Sequence, residues 1–244
     1  MRICVINPNT SAAMTETIGR AARRVAAAGT EIVAQQPDAG PESIESHVDE
    51  AFAAVGVAEL VRRGELLGFD GYVLACFGDP GLLAARELAK GPVLGIAEAA
   101  FHAASMLAGR FSVVTTLART VPIAEHLLHA YGLERRCVRV RAAEIPVLDL
   151  DTPAAYARIA DECRRARDED GIGALVLGCG GMAEWAPELG RELGLPVVDG
   201  VTVAVKFVES LVALGLGTGK TGDGAYPPPK RYVGRFADWT TTAC

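Results

Sequence analysis

The sequence predicts an α/β protein built as two pseudo-symmetric lobes, each a parallel sheet with helices on both faces, with a cleft between them. Three observations predict it. Short apolar runs alternate with longer stretches of helical periodicity. The alternation is written twice along the chain. Two of the equivalent strands end at a cysteine.

Gly71–Cys76 and Ala174–Cys179 are short apolar runs, each followed by a glycine-containing turn and then a helical pattern. Cys179 follows Cys76 by 103 residues. A second pair, Gly91–Ile96 and Leu195–Gly200, repeats at an offset of 104 residues and opens the helical patterns at 97–109 and 201–215. A looser match sets Ile3–Thr10 against Phe111–Leu117. Longer helical patterns at 45–67 and 153–170 fill the gaps. Two copies of several elements each make an internal duplication, not a solenoid. The expected division is a first lobe over 1–110, completed by a C-terminal segment, a second over 111–215, and a tail over 216–244 that wraps a lobe or is partly disordered.

The chain has 244 residues, half of them hydrophobic and 22% charged, as in ordinary globular proteins. Its net charge is −6 and it has no basic run, which argues against nucleic acid. No apolar run reaches the roughly 18 residues of a membrane span. The first ten residues read as a strand and a turn rather than a leader, so the expected address is the cytoplasm. Gly215–Thr221 superficially resembles a phosphate loop. The first glycine of that motif would fall at Leu214, and a helical pattern precedes it, so it is read as a helix exit.

The six cysteines are Cys4, Cys76, Cys137, Cys163, Cys179 and Cys244. None forms C-x-x-C, and none has a histidine at metal-ligand spacing, so no metal site is expected. Cysteines of this kind are usually buried filler. Cys76 and Cys179 stand out because they occupy matched places at the carboxyl ends of equivalent strands, where ligands of open α/β sheets bind. Two lobes facing each other bring these thiols to one cleft from opposite sides. A strand end before a helix N-terminus favours a thiolate, so both pKa values are expected below the free value of ~8.5. Asp79 and Pro80 read as the N-cap and first residue of the next helix. One thiolate then takes a proton from carbon while the opposite thiol returns one, with the charge resting on a carbonyl held by backbone N–H groups. His47, His102, His126 and His129 all fall in helical patterns without repeat-equivalents, so a cysteine–histidine hydrolase lacks support.

With these motifs in place the sequence closely resembles the hydantoin and allantoin racemases of the aspartate/glutamate racemase superfamily. The carrying residues are Ile6–Asn9, Gly40–Ser46, Ala75–Gly81, Ser112–Leu117, Leu177–Met182 and Val198–Thr202, over residues 1 to about 215. The resemblance implies two Rossmann-like lobes, a homo-oligomer, and inversion at C5 of a 5-substituted hydantoin or of allantoin by 1,1-proton transfer. It implies no cofactor and no metal. It assigns Cys76 and Cys179 as the catalytic pair. Asn9, Thr116 and the turn residues Gly78, Gly180 and Gly181 match substrate-holding positions, and Ser43 and Ile44 lie in a substrate-contact loop. Phe77 and Ile44 are candidates for the side-chain pocket, and Thr115, beside Thr116, supplies amide-like hydrogen bonding. No lysine or arginine lies in these motifs, which disfavours an amino-acid substrate. Arylmalonate decarboxylases, with one catalytic cysteine, and maleate isomerases belong to the same superfamily and stay as alternatives. A non-catalytic two-lobed binding protein is another.

Overall fold

A computed structural model describes residues 1–240; residues 241–244, Cys244 among them, lie outside the described residues. The first half forms β1 (Arg2–Ile6), α1 (Ala12–Val25), β2 (Glu31–Gln35), α2 (His47–Leu67), β3 (Gly71–Leu74), α3 (Leu82–Leu88), β4 (Val93–Gly95) and α4 (Ile96–Leu107). The second half forms β5 (Phe111–Thr115), α5 (Val121–Ala130), β6 (Cys137–Ala142), α6 (Pro153–Glu169), β7 (Ala174–Leu177), α7 (Ala186–Leu193), β8 (Val197–Asp199) and α8 (Gly200–Ala213). The two sheets have the same order, β2-β1-β3-β4 and β6-β5-β7-β8, and every pairing is parallel. Ile3 pairs with Gly71 and Phe111 with Ala174, so the duplication holds at the level of register.

Side-chain alternation sorts each strand between two cores. Ile3, Val5 and Val73 of the first sheet, with Phe111, Val113, Ala174 and Val176 of the second, join one cluster shared by both lobes. Cys4, Ile6, Tyr72 and Leu74 face the opposite way, under α2. Val114, Leu175 and Leu177 face an outer core that includes Cys163 of α6.

The shared core is filled by α4 and α8, which exchange sides. α4 packs on β7 and β8, and α8 on β3 and β4. The approach is close: a Cβ on Gly71 of β3 would fall 2.5 Å from Val208 Cγ1 of α8. The helices meet at their N-termini, where a Cβ on Gly200 would lie 2.2 Å from the Ile96 carbonyl oxygen. The tail beyond α8 returns along the first lobe. Thr218 N–H donates to Lys90 O at 2.9 Å, Lys220 reaches the Arg86 and Glu87 carbonyls at the end of α3, and Arg62 pairs with Asp238 at 2.7 Å. Among the described residues, no helix is long and apolar enough to cross a membrane.

Candidate active site between two thiols

In open sheets of this order, adjacent connections leave in opposite directions between β1 and β3, and between β5 and β7, opening a crevice at the carboxyl ends. Both crevices face one cleft of about 580 Å³, counting its open mouth. Cys76 and Cys179 both line it, each two residues past its strand.

Equivalent backbone bonds hold the two cysteine segments. Ala75 N–H donates to Ile6 O at 2.7 Å, and Gly178 N–H to Val114 O at 2.8 Å. In the second lobe the Thr115 hydroxyl also donates to Gly178 O at 3.1 Å, securing the residue before Cys179. Gly180 lets the lobes touch here, since a Cβ on it would sit 2.7 Å from Ala75 O.

The Cys76 loop turns on Asp79, which has φ +44°, in the left-handed region that aspartate tolerates better than most residues. Asp79 does not cap the helix that follows it. That helix, α3, starts after Gly81. Its carboxylate instead accepts from Ala97 N–H at 3.0 Å and Glu98 N–H at 2.9 Å, capping α4, and from the Tyr131 hydroxyl at 2.8 Å. Gly95 makes room, because a Cβ there would lie 2.1 Å from the Asp79 carboxyl carbon. Burial raises the Asp79 carboxyl to about 7, against the pull of its three donors.

The expected depression of the thiol pKa values is not found. Burial pushes Cys179 up to about 11 and raises Cys76 further. The Gly78 amide near Cys76 and the Gly181 amide near Cys179 favour the thiolates, as the turns predicted, but desolvation outweighs them. Cys179, Asp79 and Glu50 add like charge against ionisation of Cys76.

Most residues singled out in the sequence meet in the cleft. Asn9, Ile44, Phe77, Gly78, Thr115, Thr116 and Gly180 line it with the two thiols. Ser43 does not line it; the chain bends at 42–43 and Ile44 takes the cleft side. Gly181 sits behind Cys179, against Leu150 and Met14, and lines a neighbouring groove.

Asn7 Nδ2 donates to Asn9 Oδ1 at 2.7 Å and to the Thr15 hydroxyl at 3.0 Å, and Asn9 Oδ1 also accepts from Ser11 N–H. This leaves the Asn9 amide nitrogen facing Met14 in the cleft.

Met14, Glu50, Thr120, Ile123 and Val147 also line the cleft and were not picked out from the sequence. Glu50 was hidden because an acidic residue in the first turn of a helix reads as dipole compensation. The loop before α2 and the loop after β6 meet where Val147 N–H donates to Glu45 Oε1 at 2.7 Å. Among the described residues no lysine, arginine or histidine lines the cleft, and the one charged group that does is Glu50. Among the described residues no group of three histidine, cysteine or carboxylate side chains is arranged to hold a metal ion.

Fold and site together define a two-lobed α/β protein with two thiols in the cleft at the lobe junction. Residues 3–208 match the model of the Asp/Glu/Hydantoin racemase family, and the chain belongs to that family. It is 49% identical over 241 residues to a hydantoin racemase of Pseudomonas sp. (strain NS671), covering 98% of this chain and 97% of the relative. A hydantoin racemase of Rhizobium meliloti is 47% identical, over 96% of this chain and 98% of its own. The solved structure of an allantoin racemase from Klebsiella pneumoniae superposes with a TM-score of 0.97 at 60% identity, covering 99% of this chain and all of the other.

Proposed function

We propose that this racemase inverts C5 of hydantoin-type compounds, 5-substituted hydantoins or allantoin, by a 1,1-proton transfer between Cys76 and Cys179 that requires no cofactor. The observation that carries the reading is two thiols in one cleft that contains no cation. In the active form one cysteine is a thiolate and the other a thiol. The thiolate takes the C5 proton, and the C5–H bonding pair passes into an enolate at the adjacent C4 carbonyl. The opposite thiol then gives its proton to the other face of C5. The product is the mirror image, and the charge has moved from one sulfur to the other. Proton exchange with water, or turnover of the opposite enantiomer, restores the starting form.

The surroundings suit this step. A C–H flanked by a carbonyl gives up its proton to a desolvated, strongly basic thiolate far more readily than an unactivated C–H would. Neutral, amide-rich rings find the Asn9 amide and the Thr115 and Thr116 hydroxyls. An α-amino acid would place its carboxylate beside Glu50 with no cation to receive it. The test is chiral chromatography of a panel: allantoin, several 5-substituted hydantoins, free aspartate and free glutamate, before and after exhaustive chelation. Racemisation of the hydantoins and allantoin, unchanged by chelation, is expected. Comparable turnover of the free amino acids, or activity restored only by a metal, contradicts the proposal.

A further inference from the structure

The cleft is polar at one end, at a carboxylate that exchanges no proton with C5 in the proposed step. Glu50, in the first turn of α2, lies on the lobe that carries Cys76, with its side chain 18% exposed. One oxygen, Oε2, is held 3.0 Å from Nδ1 of the exposed His47. The other, Oε1, has no protein partner among the described residues. It overhangs Gly78: a Cβ on that glycine would stand 2.3 Å from Oε1 and 3.5 Å from Ile123 Cγ2. Glycine at 78 therefore leaves space that any other residue would take from the carboxylate. Glu50, Gly78, Ile123 and Thr120 together line this end of the cleft, next to Cys76.

An unpartnered carboxylate oxygen on a largely buried side chain is a strong acceptor with one requirement, an N–H or O–H donor. Its ionised form also repels anionic groups. Thr120 does not compete for it, because its hydroxyl donates to Leu117 O at 2.8 Å. Burying an aliphatic substituent against Oε1 would strip the carboxylate of water without replacing the bond, an unfavourable exchange.

Resting on the hydantoin-type reading above, we propose that Glu50 is the specificity residue of this cleft, and that it selects substrates whose C5 substituent carries N–H donors. The ureido group of allantoin, with one N–H and a terminal NH₂, has the required chemistry; a 5-alkyl hydantoin has none at that position. The ring N–H groups are common to both compounds, so a contact from Glu50 to the ring would affect them equally.

The experiment compares wild type, Glu50→Gln and Glu50→Leu on allantoin and on 5-isobutylhydantoin, reading kcat and KM separately by the decay of optical rotation, with thermal melting as a folding control. Wild type should favour allantoin. A lost hydrogen bond to a charged group corresponds to about a 10- to 100-fold change. Glu50→Leu should thus lower kcat/KM for allantoin by about that factor, mainly through KM, while 5-isobutylhydantoin stays level or improves. Glu50→Gln keeps a neutral acceptor and should fall between. An equal loss on both substrates, or no loss on allantoin, overturns the assignment even if wild type racemises both. A wild type that racemises neither compound defeats the functional reading as well.

Discussion

In the proposed mechanism Cys76 and Cys179 owe their basicity to where the chain buries them. A thiol beside a glycine-rich turn ordinarily becomes more acidic, yet here both pKa values rise because the cleft removes water from the thiolate. The result is a scarce but strong base. The sign for activity follows directly. The proposed mechanism needs one ionised thiol, and below a pKa of about 11 at Cys179 its population grows with pH. Turnover should therefore climb by up to tenfold per pH unit through neutral and mildly alkaline solution, and a pH–rate profile already flat below about pH 7 would contradict it. That both cysteines line one cleft was legible in the sequence because the repeat marked them. The place of Glu50 in the cleft was not, since it depends on Gly78 and Ile123, which come from other parts of the chain.

Among the elements, the Cys76 loop shows most clearly what local sequence hides. Asp79 followed by Pro80 has the signature of an N-cap, and the carboxylate is indeed a cap, but of α4 instead of α3. A capping motif reveals that a residue seeks backbone N–H groups; it does not reveal whose they are. Tyr131, at the end of α5, extends the same contact to the second lobe. Replacing Tyr131 with Phe removes one buried donor and should cost about 1 kcal/mol in chemical denaturation. Asp79→Ala leaves several donors unsatisfied and gives up the left-handed residue preference, so a loss of about 2–4 kcal/mol is expected. It should also lower kcat, since the loop that holds Cys76 loses its anchor. A variant with wild-type stability would show that the cap contributes little. By contrast, β1, β3, β4, β5, β7 and β8 and the helices α2, α4, α6 and α8 were readable because hydrophobic patterning is local, whereas the more exposed edge strands β2 and β6 and helix α1 were not singled out. The strand at 71–76 was overestimated by the two residues that turn toward the cleft.

At the scale of the molecule, the two halves form a single working unit because α4 and α8 fill one core between both sheets. Periodicity could suggest two lobes, but the exchange of these helices is a long-range packing choice that no short window encodes. Their meeting point at Gly200 is tight enough to test. A methyl group there meets backbone, the Ile96 carbonyl, which has no flexible end to move aside. Gly200→Ala should destabilise the protein by about 1–3 kcal/mol, as overpacking does, and slow turnover through altered spacing of the lobes. Unchanged melting and unchanged kcat would mean that the lobes can shift freely at their junction.

The central claim is that each thiol serves one face of C5. Replacing either cysteine with serine keeps the shape but leaves a hydroxyl that is not a useful base near neutral pH. Net racemisation should fall by orders of magnitude in Cys76→Ser and in Cys179→Ser. Each variant should still exchange the C5 proton of the one enantiomer that faces its remaining thiol, with retention, because the same sulfur returns a solvent deuteron. The direct measurement is proton NMR of the C5 signal in deuterated water, for each pure enantiomer with each variant. The account predicts opposite enantiomer preferences for the two variants; exchange of the same enantiomer by both, or racemisation by either at near the wild-type rate, would contradict it.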